Sequence, residues 1–234
     1  LVFYFYSINT WYLLNTMQRE LWNKNKKQVD QTDINDLEKF YKFKTFERVK
    51  YFFERFEMSD LNVEINGKVC PPINGVLSNL DWKRIYKGAV LSSFHGDFHS
   101  ENILMEDRKI TLLDWRQNFG DLGLEYGDVQ YDLAKFLHGL IVSHKQVDLE
   151  NFKIIKLRNN TVQIDILQPF VNQQAIEVVK RFCIKNQYDY ENIEKLSALI
   201  FLNICGLHEH PYSEFLFYLG RYLLASDSSD QHTA

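Results

Sequence analysis

The chain has 234 residues, enough for one large domain or two small ones, and 45% of them are apolar, which supplies a sizeable core. A formal net charge of −4 offers no basic stripe to a phosphate backbone and argues against a nucleic-acid binder. No stretch approaches the roughly eighteen uninterrupted apolar residues of a membrane span, and the scattered Cys70, Cys183 and Cys205, without metal-ligand spacing, indicate a reducing, cytoplasmic setting.

Leu1-Val2-Phe3-Tyr4-Phe5-Tyr6 reads as a short aromatic strand, so that residues 1–9 form a strand-like unit ahead of one domain over 10–225. Ser7, Asn9 and Thr10 break this apolar run too early for a signal peptide, and no basic segment precedes it. From Thr10 to about Lys24, the spacing of Trp11, Leu14, Met17, Leu21 and Trp22 predicts a helix. A polar linker, Asn23 to Thr32, follows. Thr32 or Asp33 can cap the next helix, which runs to about Glu57. Its stripe of Leu37, Phe40, Tyr41, Phe46, Val49, Phe52, Phe53 and Phe56 reads as core rather than as a ligand cage.

Asn62 to Cys70 reads as a hairpin around Asn66-Gly67, a type I′ turn signal, and Pro71-Pro72 ends it. Residues 76–88 make a helix and turn that lead into a strand over Ala89–Phe94. Ile103 to Met105 is a strand, Glu106-Asp107-Arg108 a turn, and Lys109 to Leu113 the returning strand. A further hairpin spans Phe152–Leu157 and Thr161–Leu167 around Asn159-Asn160. Helices follow at about 173–186, 189–206 and 212–225, and the polar tail Ser226 to Ala234 is expected to be disordered. The fold class expected is α+β: mostly helical, with short β-hairpins carrying loops.

One loop carries chemistry. The strand over Ala89–Phe94 delivers His95-Gly96-Asp97-Phe98-His99-Ser100-Glu101-Asn102, and Asp114 follows twelve residues after the asparagine. Phosphate transfer needs a carboxylate to accept a hydroxyl proton and two oxygen ligands for Mg²⁺ on the nucleotide phosphates. Asp97 is the candidate for the first task, and Asn102 with Asp114 for the second. The intervening hairpin returns Asp114 beside Asn102. The structural alternatives are a helix-capping Asp97, an Asx turn at Asn102 and an Asp114–Arg116 ion pair. His95-x-Asp97-x-His99 also invites a zinc-hydrolase reading, against which no second ligand cluster occurs at metal spacing.

HGDFHSENIL followed by LLDW resembles the catalytic segment of the aminoglycoside phosphotransferase and choline kinase superfamily, whose folds are protein-kinase-like. Tyr131-Asp132-Leu133-Ala134 is similar to its next motif element, on the helix after the metal loop. The resemblance implies that Asp132 bonds the backbone of the catalytic loop and holds it rigid. It also implies that residues 1–6 are the hinge between two lobes, so that the small N-terminal lobe is absent from this chain. The lack of a glycine-rich loop before residue 88 agrees with that.

A narrower resemblance, to a bacterial branch found among sugar-nucleotide and surface-polysaccharide genes, rests on Asp114-Trp115-Arg116, Phe119-Gly120, Tyr126-Gly127-Asp128 and Tyr131 to Lys135 with His138. Phe40-Tyr41 with Lys44-Thr45 and Arg48 upstream, and Leu207-His208 with Pro211, fit the same branch. It implies Mg²⁺ and ATP as cofactors and a hydroxyl of a sugar or sugar derivative as acceptor. The expected function is a small-molecule kinase; a non-catalytic binding module is the alternative, and a phosphate-ester hydrolase stands third.

Other residues keep two readings. His95 and Gly96 read as scaffold, the glycine permitting a turn and the histidine bonding main chain. His99 either reaches the acceptor or is a solvated loop residue. Arg116 either grips a substrate carboxylate or phosphate or pairs with Asp121, Glu125 or Asp128. Lys44 and Arg48, four apart on one helix face, are a solvated charge pair or a substrate or structural contact. His208 and His210 read as a helix terminus.

Overall fold

The computed structural model describes residues 2–123 and 125–226. Helix α1, Val2–Met17, runs on through a π turn at Gln18–Trp22. The strand expected over residues 1–6 is therefore corrected: from Val2 onward the backbone is helical. The run is apolar at every position and lacks the alternation of a strand, and no glycine or proline separates it from the helical period that follows. From Val2 onward the hinge-like unit expected over residues 1–9 thus merges into the first helix, while Leu1 and the tail from Asp227 lie outside the described residues.

Asp30, rather than Thr32 or Asp33, caps α2, Gln31–Glu38. Its carboxylate accepts from the amides of Thr32 and Asp33, and Asp33 returns a bond to the Asp30 amide, closing a capping box. A π turn at Lys39–Phe43 leads into α3, Lys44–Phe56, so the one helix expected here carries a single extra residue. Within that turn the neighbours Phe40 and Tyr41 are both buried, as are Leu37, Val49 and Phe52, while Phe46, Phe53 and Phe56 pack at the margin.

Strands β1, Val63–Ile65, and β2, Lys68–Cys70, form the first hairpin. Asn66 and Gly67 both take positive φ, as a type I′ turn demands. After Pro71-Pro72 come α4, Ile73–Asn79, and α5, Trp82–Gly88. The strand expected over Ala89–Phe94 contracts to β3, Leu91–Ser92, flanked by the backbone of the polar linker: the Lys27 amide bonds Leu91 O, and the Ser93 amide bonds Lys24 O. Strands β4, Ile103–Glu106, and β5, Lys109–Leu112, form the expected hairpin, and β6, Gly127–Asp128, pairs antiparallel with β3.

Helix α6, Val129–Ile141, is followed by α7, His144–Asp148, and by the hairpin of β7, Phe152–Lys156, and β8, Thr161–Ile166. Sequence spacing gave no sign that β1 would pair parallel with β8, which joins the two hairpins into one mixed sheet of order β2-β1-β8-β7. The Asn66 side chain secures that joint by donating to Ile164 O and accepting from the Ile164 amide.

Helices α8, Phe170–Lys185, α9, Tyr190–Cys205, and α10, Tyr212–Ser226, complete the described chain. Residues 196–202 of α9 are all buried, the signature of a helix at the centre of a core. It packs against α10, α6 and α3, while α1 lies along α8. Among the described residues no helix is long and apolar enough to cross a membrane. The three cysteines are free and buried. Burial pushes the Cys183 and Cys205 thiols up to about 12, which makes them packing groups rather than nucleophiles.

Candidate active site

Helix α6 organises the site through two buried carboxylates. Asp128 caps it by accepting from the Gln130 amide, and the same carboxylate accepts from the Val90 amide and the Tyr41 hydroxyl. One turn on, Asp132 Oδ2 accepts from the His95 amide at 2.8 Å and from Trp22 Nε1 at 3.0 Å, and Oδ1 accepts from the Gly96 amide at 2.7 Å. The contact expected of Asp132 is present. Burial pushes both acids up to about 6, against the donors that hold their charged forms.

The loop bends at Gly96, where φ is +83° and an added Cβ would lie 2.4 Å from Arg116 Cβ. No other residue fits there without moving the arginine. His95 is fully buried; its Nε2 donates to Leu113 O at 2.8 Å and its Nδ1 accepts from the Asp97 amide at 3.2 Å. That pair of bonds selects one neutral tautomer, and burial lowers the ring's pKa accordingly. With both nitrogens committed to main chain, His95 is scaffold and cannot serve as a zinc ligand.

Asp97 lies half-exposed at the centre. Lys135 Nζ stands 2.7 Å from Oδ1, and His99 Nε2 stands 3.3 Å from Oδ2. Burial alone would raise the Asp97 pKa, but His99 and Lys135 outweigh it and hold the carboxyl well below the usual range. His99 is not a solvated loop residue: it bridges Asp97 and Glu101, whose Oε2 lies 2.8 Å from Nδ1. Burial opposes its charge, yet the two acids bring its pKa up to about 9. Burial likewise acts to raise Glu101, and bonds from His99 and Ser100 bring it down to about 2.

The sign of the His99 shift sets a pH dependence of stability. The folded value, about 9, exceeds the ordinary value of 6.5, so the imidazolium's contribution is complete below about pH 6.5 and is lost as pH rises through 9. Urea melts should show wild-type stability falling by up to roughly 3 kcal/mol across that window. His99→Gln should lose this fall and keep only the opposite rise above about pH 8 that the lowered Lys44 pKa supplies. A variant that falls as steeply as wild type would assign the slope to another group.

Asn102 Nδ2 donates to Asp97 O at 3.0 Å and to Asp97 Oδ2 at 3.2 Å, which turns the amide oxygen away from the acid. With His99 doubly protonated, its 3.1 Å approach to the same amide nitrogen is a contact rather than a bond. The Leu113 amide donates to Asn102 O at 2.9 Å, extending the β4–β5 register of Ile103↔Leu112 by one step. Asp114 comes next, with φ +51°, and its exposed carboxylate makes no hydrogen bond or ion pair within the described chain. An amide oxygen and an unpaired carboxylate are hard donors that suit Mg²⁺, which completes its shell with water and phosphate. Among the described residues no group of three or more His, Cys, Asp or Glu is placed to hold a metal unaided.

The Asp114–Arg116 pair is not formed. Arg116 donates to the Tyr131 hydroxyl at 3.2 Å, and its guanidinium lies 5.1 Å from the Phe40 ring centre and 5.8 Å from that of Tyr131. It does not pair with Asp121 or Asp128, which take Lys39 and Tyr41, and it makes no ion pair with Glu125. Lys44 Nζ lies 4.4 Å from the centre of the same Phe40 ring. Burial first, then the charges of Arg116, Arg48 and Lys135, lower the Lys44 pKa to about 8. Lys44 and Arg48 are therefore half-buried rather than a solvated pair, with Lys44 sharing the Phe40 ring with Arg116.

Three contributors were not singled out from sequence. Lys135 was legible, since it follows Asp132 by three residues on one helix and so projects from the same face. Glu101 stood inside the motif without a role. Trp22 carried no local signal, because its partner Asp132 is 110 residues away. No family model matches this chain, and neither a curated protein nor a solved structure matches it.

Proposed function

We propose that the chain is a protein-kinase-like small-molecule phosphotransferase. It moves the γ-phosphate of ATP to a hydroxyl of a small polar metabolite, in keeping with the sugar-linked branch it resembles. One observation carries this reading: Asp132 clamps His95 and Gly96 while the β4–β5 hairpin returns Asp114 to the side of Asn102. The motif thus has the supports that its resemblance implies.

In this reading Asp97 orients the acceptor hydroxyl and takes its proton as the new P–O bond forms and ADP departs. A carboxyl held so far down is a weak base. It suffices because the hydroxyl becomes acidic only as that bond forms, and positioning with electrostatics supplies most of the rate. Lys135 and His99 keep Asp97 anionic. Asn102 and Asp114 would hold Mg²⁺, which when bound supplies charge neutralisation on the nucleotide phosphates. A cytoplasmic setting goes with an ATP donor and three free thiols.

A non-catalytic binding module is the second reading, favoured by the engagement of both Asp97 oxygens by Lys135 and His99. Calorimetry with Mg·ATP separates the two. The phosphotransferase reading expects magnesium-dependent binding that Asp114→Asn weakens by about tenfold or more. A folded wild-type chain that binds no nucleotide would leave the module reading in place.

A further inference from the structure

Arg116, against the catalytic loop, and Lys44 and Arg48, on the helix beside it, lack the partner that cations usually have. The Arg116 stem packs on Gly96, so its guanidinium leaves the loop one residue from Asp97. Of its five N–H donors, one goes to a neutral hydroxyl, that of Tyr131, and none to a carboxylate. Lys44 shares the Phe40 ring with it, and Arg48 follows one turn along α3. Neither makes an ion pair within the described chain.

Several acids of the neighbouring elements are already used, and Glu47, Asp114 and Glu125, which are not, make no ion pair with these three cations among the described residues. Asp36 and Asp121 take Lys39, Glu38 takes Lys42, and Asp128 is buried on Tyr41. Like charges gathered without counter-charge repel one another, and the rings of Phe40 and Tyr131 strengthen the repulsion by excluding water. An acidic chain of net charge −4 has carboxylates enough to relieve it, yet none is paired with these three cations among the described residues. Such an arrangement persists where a ligand brings the missing charge.

We propose that Lys44, Arg48 and Arg116 form a subsite for an anionic group, a phosphate or carboxylate, carried by the acceptor molecule. The role of acceptor rests on the phosphotransferase reading; the anion preference rests on the cluster alone. Arg116 offers a planar fork that matches either anion with two parallel bonds, and Lys44 and Arg48 add charge around it. Its place next to Asp97 puts the bound anion beside the hydroxyl to be phosphorylated. The acceptor is then an acidic or already phosphorylated sugar rather than a neutral or cationic one.

The test is calorimetry on the full chain with inorganic phosphate, glucuronate and neutral glucose at fixed ionic strength, without nucleotide. Phosphate or glucuronate should bind at least about tenfold more tightly than glucose. Arg116→Gln and Arg48→Gln should each remove most of that preference. Arg116→Lys, which keeps the charge without the fork, replaces Arg116→Gln should the latter not fold, and should lose part of it. Equal binding of glucose and the anions, or full anion binding by both glutamine variants, would overturn the subsite. So would an Arg48→Gln chain whose Mg·ATP affinity drops as far as its phosphate affinity, since the cluster would then be reading nucleotide phosphates. Anion binding that persists in a chain indifferent to Mg·ATP would leave the subsite standing and remove the kinase reading alone.

Discussion

Asp132→Ala is expected to destabilise the fold by roughly 3–5 kcal/mol, a large share of the stability of a domain of this size. The side chain is fully buried and is the partner of three donors: the His95 amide, the Gly96 amide and Trp22 Nε1. Each donor left without an acceptor in the interior costs about 1–3 kcal/mol. Methyl-sized replacement also opens a cavity where α1, α6 and the loop meet. Asp132→Asn keeps the volume and one acceptor oxygen but turns an N–H₂ toward a donor, so its loss should be about half as large. Urea denaturation of both variants measures this. An alanine variant within about 1 kcal/mol of wild type would show that the loop is held by something else.

Asp97→Asn should lower phosphotransfer by about 10²–10⁴-fold while leaving Mg·ATP affinity within a factor of about two. The substitution keeps the shape of the side chain and its position over Asn102, so the loop should survive it. What disappears is the anion that accepts the proton and draws Lys135 and His99 together. The His99 pKa, brought up to about 9 by Asp97 and Glu101, should fall in the variant, which NMR titration of the ring can follow. Single-turnover transfer from Mg·ATP is the direct readout. A rate equal to wild type would sink the proton-accepting role and favour the binding-module reading.

The parts of the fold legible in the sequence are those set by neighbours along the chain. Asn66-Gly67 announced its turn because a type I′ turn needs two residues at positive φ, and Asn159-Asn160 did so for the same reason. The helix over α2 and α3 was legible in its stripe of large side chains, though its π turn was not, since one extra residue leaves the period almost unchanged. Residues 1–6 misled because an unbroken apolar run satisfies a buried strand and a buried helix equally well. The parallel pairing of β1 with β8 was invisible, as a strand of three residues carries no mark of its partner.

By itself the sequence determined the order of acid, amide and acid in the loop, the hairpin that folds Asp114 back to Asn102, and the glycine that lets the loop bend. All of these depend on turn geometry and backbone sterics within about twenty residues. Only the tertiary structure decided which charges meet. It set Lys135 and His99 on Asp97, drew Trp22 to Asp132, and gathered Lys44 and Arg116 around the Phe40 ring, with Arg48 one turn on from Lys44. Charge pairing follows distances between packed elements, and α6 beside the loop, with Phe40 of the π turn ahead of α3 against Tyr131 and Arg116, creates those distances.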